Sequence, residues 1–107
     1  MGRLNTIDDL RSLPMAVVLK HSTRCIVSFY ALQEVSAFCS NANDVPCFLV
    51  IVQQQPDISD DLEDFTGLPH ASPQVLLFQY GRLMANASHD AITAAWLAVQ
   101  TGHPELF

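Results

Sequence analysis

Two kinds of hydrophobic pattern alternate along the chain. Met15 to Lys20 is a short apolar run closed by a lysine, and Cys47-Phe-Leu-Val-Ile-Val52 is a second run of the same length. Unbroken apolar runs of this size are the pattern of strands buried on both faces. Between them, Val27, Ala31, Val35 and Phe38 recur at spacings of 4, 4 and 3. That periodicity makes one helical stripe, so residues 26–41 form a helix. Asn41-Ala-Asn-Asp44 with Pro46 breaks it. Two buried strands joined by a helix form a parallel pair with a right-handed crossover.

The flanks extend this unit. Thr6 to Leu13 reads as a short helix, with Thr6 as its cap, Asp8 and Asp9 in its positive first turn, and Pro14 as its stop. Gln53-Gln-Gln-Pro56 is a polar exit from the second strand. Ser59 to Phe65 is a short acidic helix with a serine cap, stopped by Gly67. Val75-Leu-Leu-Phe78 is a third strand, Tyr80-Gly81-Arg82 a tight turn, and Leu83 to Ala87 an antiparallel fourth strand. Ser88-His89-Asp90 opens a last helix with apolar positions at Ile92, Ala95, Trp96 and Val99, closed by Gly102. The order is α-β-α-β-α-β-β-α. It predicts one α/β domain over residues 1–107, with a four-stranded mixed sheet flanked by helices. Phe38, Phe48, Tyr80 and Trp96 are expected in the core, and Asp60 to Asp64 on a solvated face.

Composition narrows the function. Half of the 107 residues are hydrophobic, enough for a core without metal or disulfide staples. A formal charge of −6 argues against nucleic acid and anionic membrane surfaces as partners. No apolar run reaches the ~20 residues of a membrane span, and the first residues have no apolar h-region. The three cysteines, at 25, 39 and 47, form neither a CxxC nor a zinc pattern. A reduced, cytoplasmic setting is therefore expected.

Cys25 stands apart from the other two. It follows Lys20-His21-Ser22-Thr23-Arg24 at a strand-to-helix junction, where unpaired N–H groups favour an anion. The chain has only five Lys and Arg, and two of them lie in this lead-in. An ordinary thiol is only a few per cent ionised at neutral pH. A helix start contributes about 0.3–1 kcal/mol toward the thiolate. Arg24, Lys20 and His21 are the groups expected to supply the rest. Cys39 falls near the far end of the same helix, roughly 20 Å from Cys25 at the rise of an α-helix. Cys47 starts the next strand. Both are expected to pack as structural cysteines, with Cys25 as the reactive one.

Three separated words carry a resemblance. His21-Ser-Thr-Arg-Cys25, His70-Ala-Ser-Pro-Gln74-Val-Leu-Leu, and Ala87-Ser-His89 followed by Ile92-Thr93 resemble the monothiol bacilliredoxin family of the thioredoxin-like superfamily, over about residues 15–97. The resemblance implies a cytoplasmic bacterial thiol–disulfide oxidoreductase with Cys25 as its catalytic nucleophile. Its co-substrate would be the low-molecular-weight thiol bacillithiol, its other partners bacillithiolated proteins, and it would need no bound metal or cofactor. Ser28 stands where a dithiol relative of this fold carries a second cysteine. The resemblance further implies a cis bond before Pro73, with Ser72 and Pro73 facing Cys25. Thr23, Ser28, His70, Ser72, Pro73, Ser88 and His89 are the residues it suggests for contact with the thiol substrate, the last two seating a carboxylate at a helix start. The family's cysteine is usually followed by proline, and here Ile26 takes that place. Two other readings share the sequence features. One is a monothiol protein that shares a 2Fe–2S cluster across a dimer, and the other a non-enzymatic adaptor of the same fold.

Overall fold

The computed structural model describes residues 1–107. At its centre, β2 (Ala16–His21) and β3 (Cys47–Ile51) pair in parallel and are joined by α1 (Ile26–Asn41). The β3 strand leads into α2 (Pro56–Thr66), with a proline at its first position, and then β4 (Gln74–Gln79) and β5 (Arg82–Ser88). The β4 strand runs antiparallel to both β2 and β5. The α3 helix (Ala94–Gln100) closes the fold. A strand too short to show a pattern, β1 (Gly2–Arg3), adds in parallel to the free edge of β3. The sheet order is β1-β3-β2-β4-β5, five strands rather than the four expected.

The alternation of strand side chains divides the core into two layers. Val17 and Leu19 of β2, with Leu49 and Ile51 of β3, pack under Ala31, Val35 and Phe38 of α1 and Leu97 and Ala98 of α3. Ala16 and Val18, with Val50, Leu76 and Phe78, pack under Leu62 of α2 and Leu10. Lys20 continues the second face of β2 and His21 the first, and both side chains are buried.

Several boundaries move for identifiable reasons. The expected first helix is a single 3-10 turn, Ile7–Leu10. The acidic helix begins at Pro56 rather than Ser59, because proline at the first helical position loses no bond. Ser59 is consequently buried inside the helix and does not cap it. His89 has φ 55°, a left-handed conformation that ends β5 without opening a helix. Residues His89–Ala91 form a 3-10 turn, and α3 begins only at Ala94. Tyr80 and Gly81 have φ of 49° and 77°, the two positive values that a two-residue hairpin turn requires. Tyr80 is thus 60% exposed rather than in the core. A side chain at Gly81 would also meet Arg11, with Cβ only 3.2 Å from its Cγ.

Candidate functional site

The buried stripe of α1 passes through Ser28, Ala31, Val35 and Phe38. Val27 lies beside it and Ser28 within it, which carries the Ser28 hydroxyl into the protein. There Oγ lies 2.8 Å from Nδ1 of His21 and accepts the Ser22 N–H at 2.9 Å. Ser28 is fully buried and both its bonds point inward. It braces the end of β2, and no face of it is left for a bound thiol.

Cys25 is the N-cap residue of α1, half-buried, and the chain's one free cysteine. Its carbonyl accepts the Ser28 N–H at 3.1 Å. The segment before it is clamped from the neighbouring strand. Gln53 Oε1 accepts the Thr23 N–H at 3.2 Å, while Gln53 Nε2 donates to Ser22 Oγ at 2.8 Å. Ser22 Oγ also accepts the Arg24 N–H at 3.3 Å. Sequence reasoning passed over Gln53 as one of three glutamines in a polar exit. A signal existed, because β2 and β3 are parallel and in register to their ends, His21 opposite Ile51. The residues that follow the two strands therefore lie side by side.

The three basic groups of the lead-in separate. Arg24 is exposed and forms no ion pair. Lys20 points to the α2 face, where Nζ donates to the Ser59 carbonyl at 3.3 Å. Burial pushes its pKa down, opposed by the carboxylates of Glu63 and Asp60. Burial likewise lowers His21 below its ordinary 6.5, more than the Ser28 bond raises it, with Arg3 lowering it further. His21 is therefore neutral near pH 7, with its ring edge against Phe29 at 5.2 Å between centroids. The expectation that Lys20 and His21 present cations to Cys25 is corrected. Strand alternation sends them to opposite faces, and each is engaged inside the protein.

A pH dependence follows from His21. Its folded pKa lies below the unfolded value, so the unfolded chain binds more protons between the two. The stabilisation is complete above about pH 6.5 and is lost as pH falls toward the folded value. Urea midpoints measured from about pH 7 to about pH 5 should fall more steeply for the parent chain than for His21→Asn. Equal slopes would remove His21 as the titrating group.

The second word of the sequence lies around the turn into β4. The Ser72–Pro73 bond is cis, as the resemblance implied, and Pro73 is buried. Its carbonyl accepts the His89 N–H at 3.0 Å, and Gln74 pairs with Lys20 on one side and Ser88 on the other. This joins Pro73, Ser88 and His89 in one neighbourhood at the end of β2. His70 is exposed and lies on the α2 side. Its N–H donates to Glu63 at 2.8 Å, and it lines a cleft of about 240 Å³ with Val52, Pro56, Ser59 and Asp60. Burial lowers its pKa first, then the charge of Lys20, against the raising effect of Glu63 and Asp60.

A larger cleft of about 310 Å³ runs between α1 and the segment after β5, lined by Val27, Tyr30, Glu34, His89, Asp90 and Thr93 among others. The expected carboxylate seat at Ser88-His89 changes here. No α-helix starts at those residues, which form only a three-residue 3-10 turn, and where α3 does start, Glu34 Oε1 already accepts the Ala94 N–H at 3.1 Å. Two acidic side chains, Glu34 and Asp90, line the cleft together with His89. On the helical side of Cys25 the first turns of α1 expose large hydrophobic side chains, with Ile26 71%, Phe29 46% and Tyr30 62% exposed. Cys39 and Cys47, expected to pack separately, are bonded to each other as a disulfide. No helix is long and apolar enough to cross a membrane.

Comparison with known proteins decides the family. The family model of monothiol bacilliredoxin BrxC matches residues 2–97. The chain belongs to that family. A solved structure described as an oxidoreductase candidate with a thioredoxin fold superposes on this bacilliredoxin with a TM-score of 0.85 at 31% identity, covering 94% of this chain and 92% of that one. Thioredoxin f2 of Chlamydomonas reinhardtii (TM-score 0.73, 14% identity, 97% of each chain) shares the fold. So does mitochondrial thioredoxin 3 of Saccharomyces cerevisiae (TM-score 0.70, 18% identity, 98% of this chain and 94% of that one). Family and fold together make this bacilliredoxin a thiol–disulfide oxidoreductase.

Proposed function

We propose that the chain removes a low-molecular-weight thiol, bacillithiol, from protein mixed disulfides through Cys25. The observation that carries the reading is a free, half-buried cysteine capping α1, with an inward-locked serine where a second thiol would stand. The Cys25 thiolate attacks the small-thiol sulfur of a protein–S–S–R bond. A Cys25–S–S–R bond forms, and the protein sulfur leaves as a thiolate and takes up a proton. Ser28 has no sulfur to displace R, so the adduct waits for a second RSH. That thiol attacks as RS⁻, releases RSSR and restores the Cys25 thiolate. Over the cycle one free RSH is consumed, the protein regains its thiol, and the disulfide bond passes to RSSR.

The residues around Cys25 divide the work. Cys25 sits at the cap of α1, beside the free N–H groups of its first turn. Arg24, unpaired and adjacent, is the basic group suited to a carboxylate of the small thiol. In this reading Ser72 and Pro73, joined by a cis bond, supply the wall facing Cys25. Ile26, Phe29 and Tyr30 give the protein substrate an apolar landing area, and Ile26 presents a bulkier surface than the proline usual there. The substrate assignment also rests on the family's description, which names a bacilliredoxin.

Mass spectrometry after incubation with bacillithiol disulfide tests the proposal. One bacillithiol should be retained per chain, on the peptide containing Cys25, and a second thiol should remove it. A chain that forms this adduct with glutathione or cysteine but not with bacillithiol would retain the chemistry and lose the proposed substrate. No adduct at Cys25 with any of them would sink the mechanism.

A further inference from the structure

Cys39 lies in the last turn of α1, and Cys47 is the first residue of β3. Their Cα atoms are 6.4 Å apart and their sulfurs are bonded, within the span that a disulfide bridges. Neither cysteine is sealed in the core, since both are part-exposed. The short connection between them carries four exposed residues, Ser40, Asn41, Asn43 and Asp44. Each sulfur sits on an element with its own anchorage. Phe38 fixes the end of α1, Leu49 fixes β3, and Val45 is buried in the same cluster between them. The elements that carry the two sulfurs are thus anchored by core side chains as well as by the bond. Cys47 Sγ lies 3.5 Å from the Val45 carbonyl. Cys25 is at the opposite end of α1, roughly 20 Å away by helical rise, too far to attack either sulfur.

We infer that Cys39 and Cys47 form a second thiol–disulfide site, a dithiol oxidised by low-molecular-weight disulfides independently of Cys25. One thiolate of the pair attacks a disulfide RSSR, forms a protein–S–S–R bond and releases RS⁻, which takes up a proton. The neighbouring cysteine gives up its proton and displaces the second RS⁻. The Cys39–Cys47 bond closes, two RSH leave, and two electrons pass from the protein to the small disulfide. This site resolves its own mixed disulfide, which Cys25 with Ser28 at its back cannot do. The inference does not depend on what Cys25 acts upon.

A Cys25→Ser chain isolates the pair. Fully reduced under nitrogen and then given excess oxidised glutathione, it should become lighter by two hydrogens, retain no glutathione and release two glutathiones per chain. Peptide mapping should find residues 39 and 47 linked. A chain that stays reduced, or that holds glutathione stably on either cysteine, overturns the inference. A Cys25→Ser, Cys47→Ser chain should instead hold one glutathione on Cys39. If it folds and does not react, the pair is shielded and the inference fails. If it does not fold, the mass of the Cys25→Ser chain alone decides.

Discussion

Replacing Cys25 by serine should slow release of the small thiol from a bacillithiolated protein by ~10³-fold or more. A serine hydroxyl at neutral pH has no thiolate to offer, and loss of a catalytic nucleophile costs nearly the whole rate enhancement. A Cys39→Ser, Cys47→Ser chain should keep the parent rate within about twofold, because those sulfurs lie beyond the distance at which sites couple strongly. The rate is read as small thiol liberated from a reporter protein, with free bacillithiol as the regenerating thiol. Activity that survived in Cys25→Ser and vanished in the double variant would move the chemistry to the other end of α1.

The second large effect concerns a residue that touches no substrate. Ser28→Ala should destabilise the fold by about 2–4 kcal/mol. It leaves the Ser22 N–H and the His21 ring nitrogen without their partner, and each buried group so abandoned costs about 1–3 kcal/mol. The measurement is the urea midpoint at constant m-value near pH 7. A change below about 0.5 kcal/mol would mean that water replaces both bonds, and the bracing role would be lost. Ser28→Cys is the informative companion. Its larger, weaker hydrogen-bonding sulfur should recover only part of the stability, while the Cys25 adduct with a small thiol should become short-lived, since a resolving thiol now stands three residues away.

The central βαβ unit was legible because its evidence is periodic. Runs of strand length and a stripe repeating every three or four residues name their elements without tertiary information. The β1 strand was not legible, since two residues that pair through their backbones with Phe48 and Leu49 leave no side-chain pattern. The start of α3 was misread because Ser88 and Asp90 have capping chemistry, whereas a left-handed His89 decides what the chain does there. At the site, the position of Cys25 and the serine three residues later were plain. The burial of Ser28 was hidden by a stripe that fits equally well through Val27. The basic lead-in read as a cluster in sequence, yet strand alternation divides Lys20 from His21. Gln53 needed the register of β2 against β3, and the Cys39–Cys47 pair needed the 6.4 Å approach of their Cα atoms, which the order of elements alone does not give.

With Cys39 and Cys47 bonded to each other, the chain carries a single thiol open to alkylation. A fluorophore or spin label offered to the unreduced protein would therefore attach at one known place, the cap of α1. The molecule is in this sense its own single-cysteine probe. Docking of a protein substrate over Ile26, Phe29 and Tyr30 could be followed spectroscopically without removing any native residue.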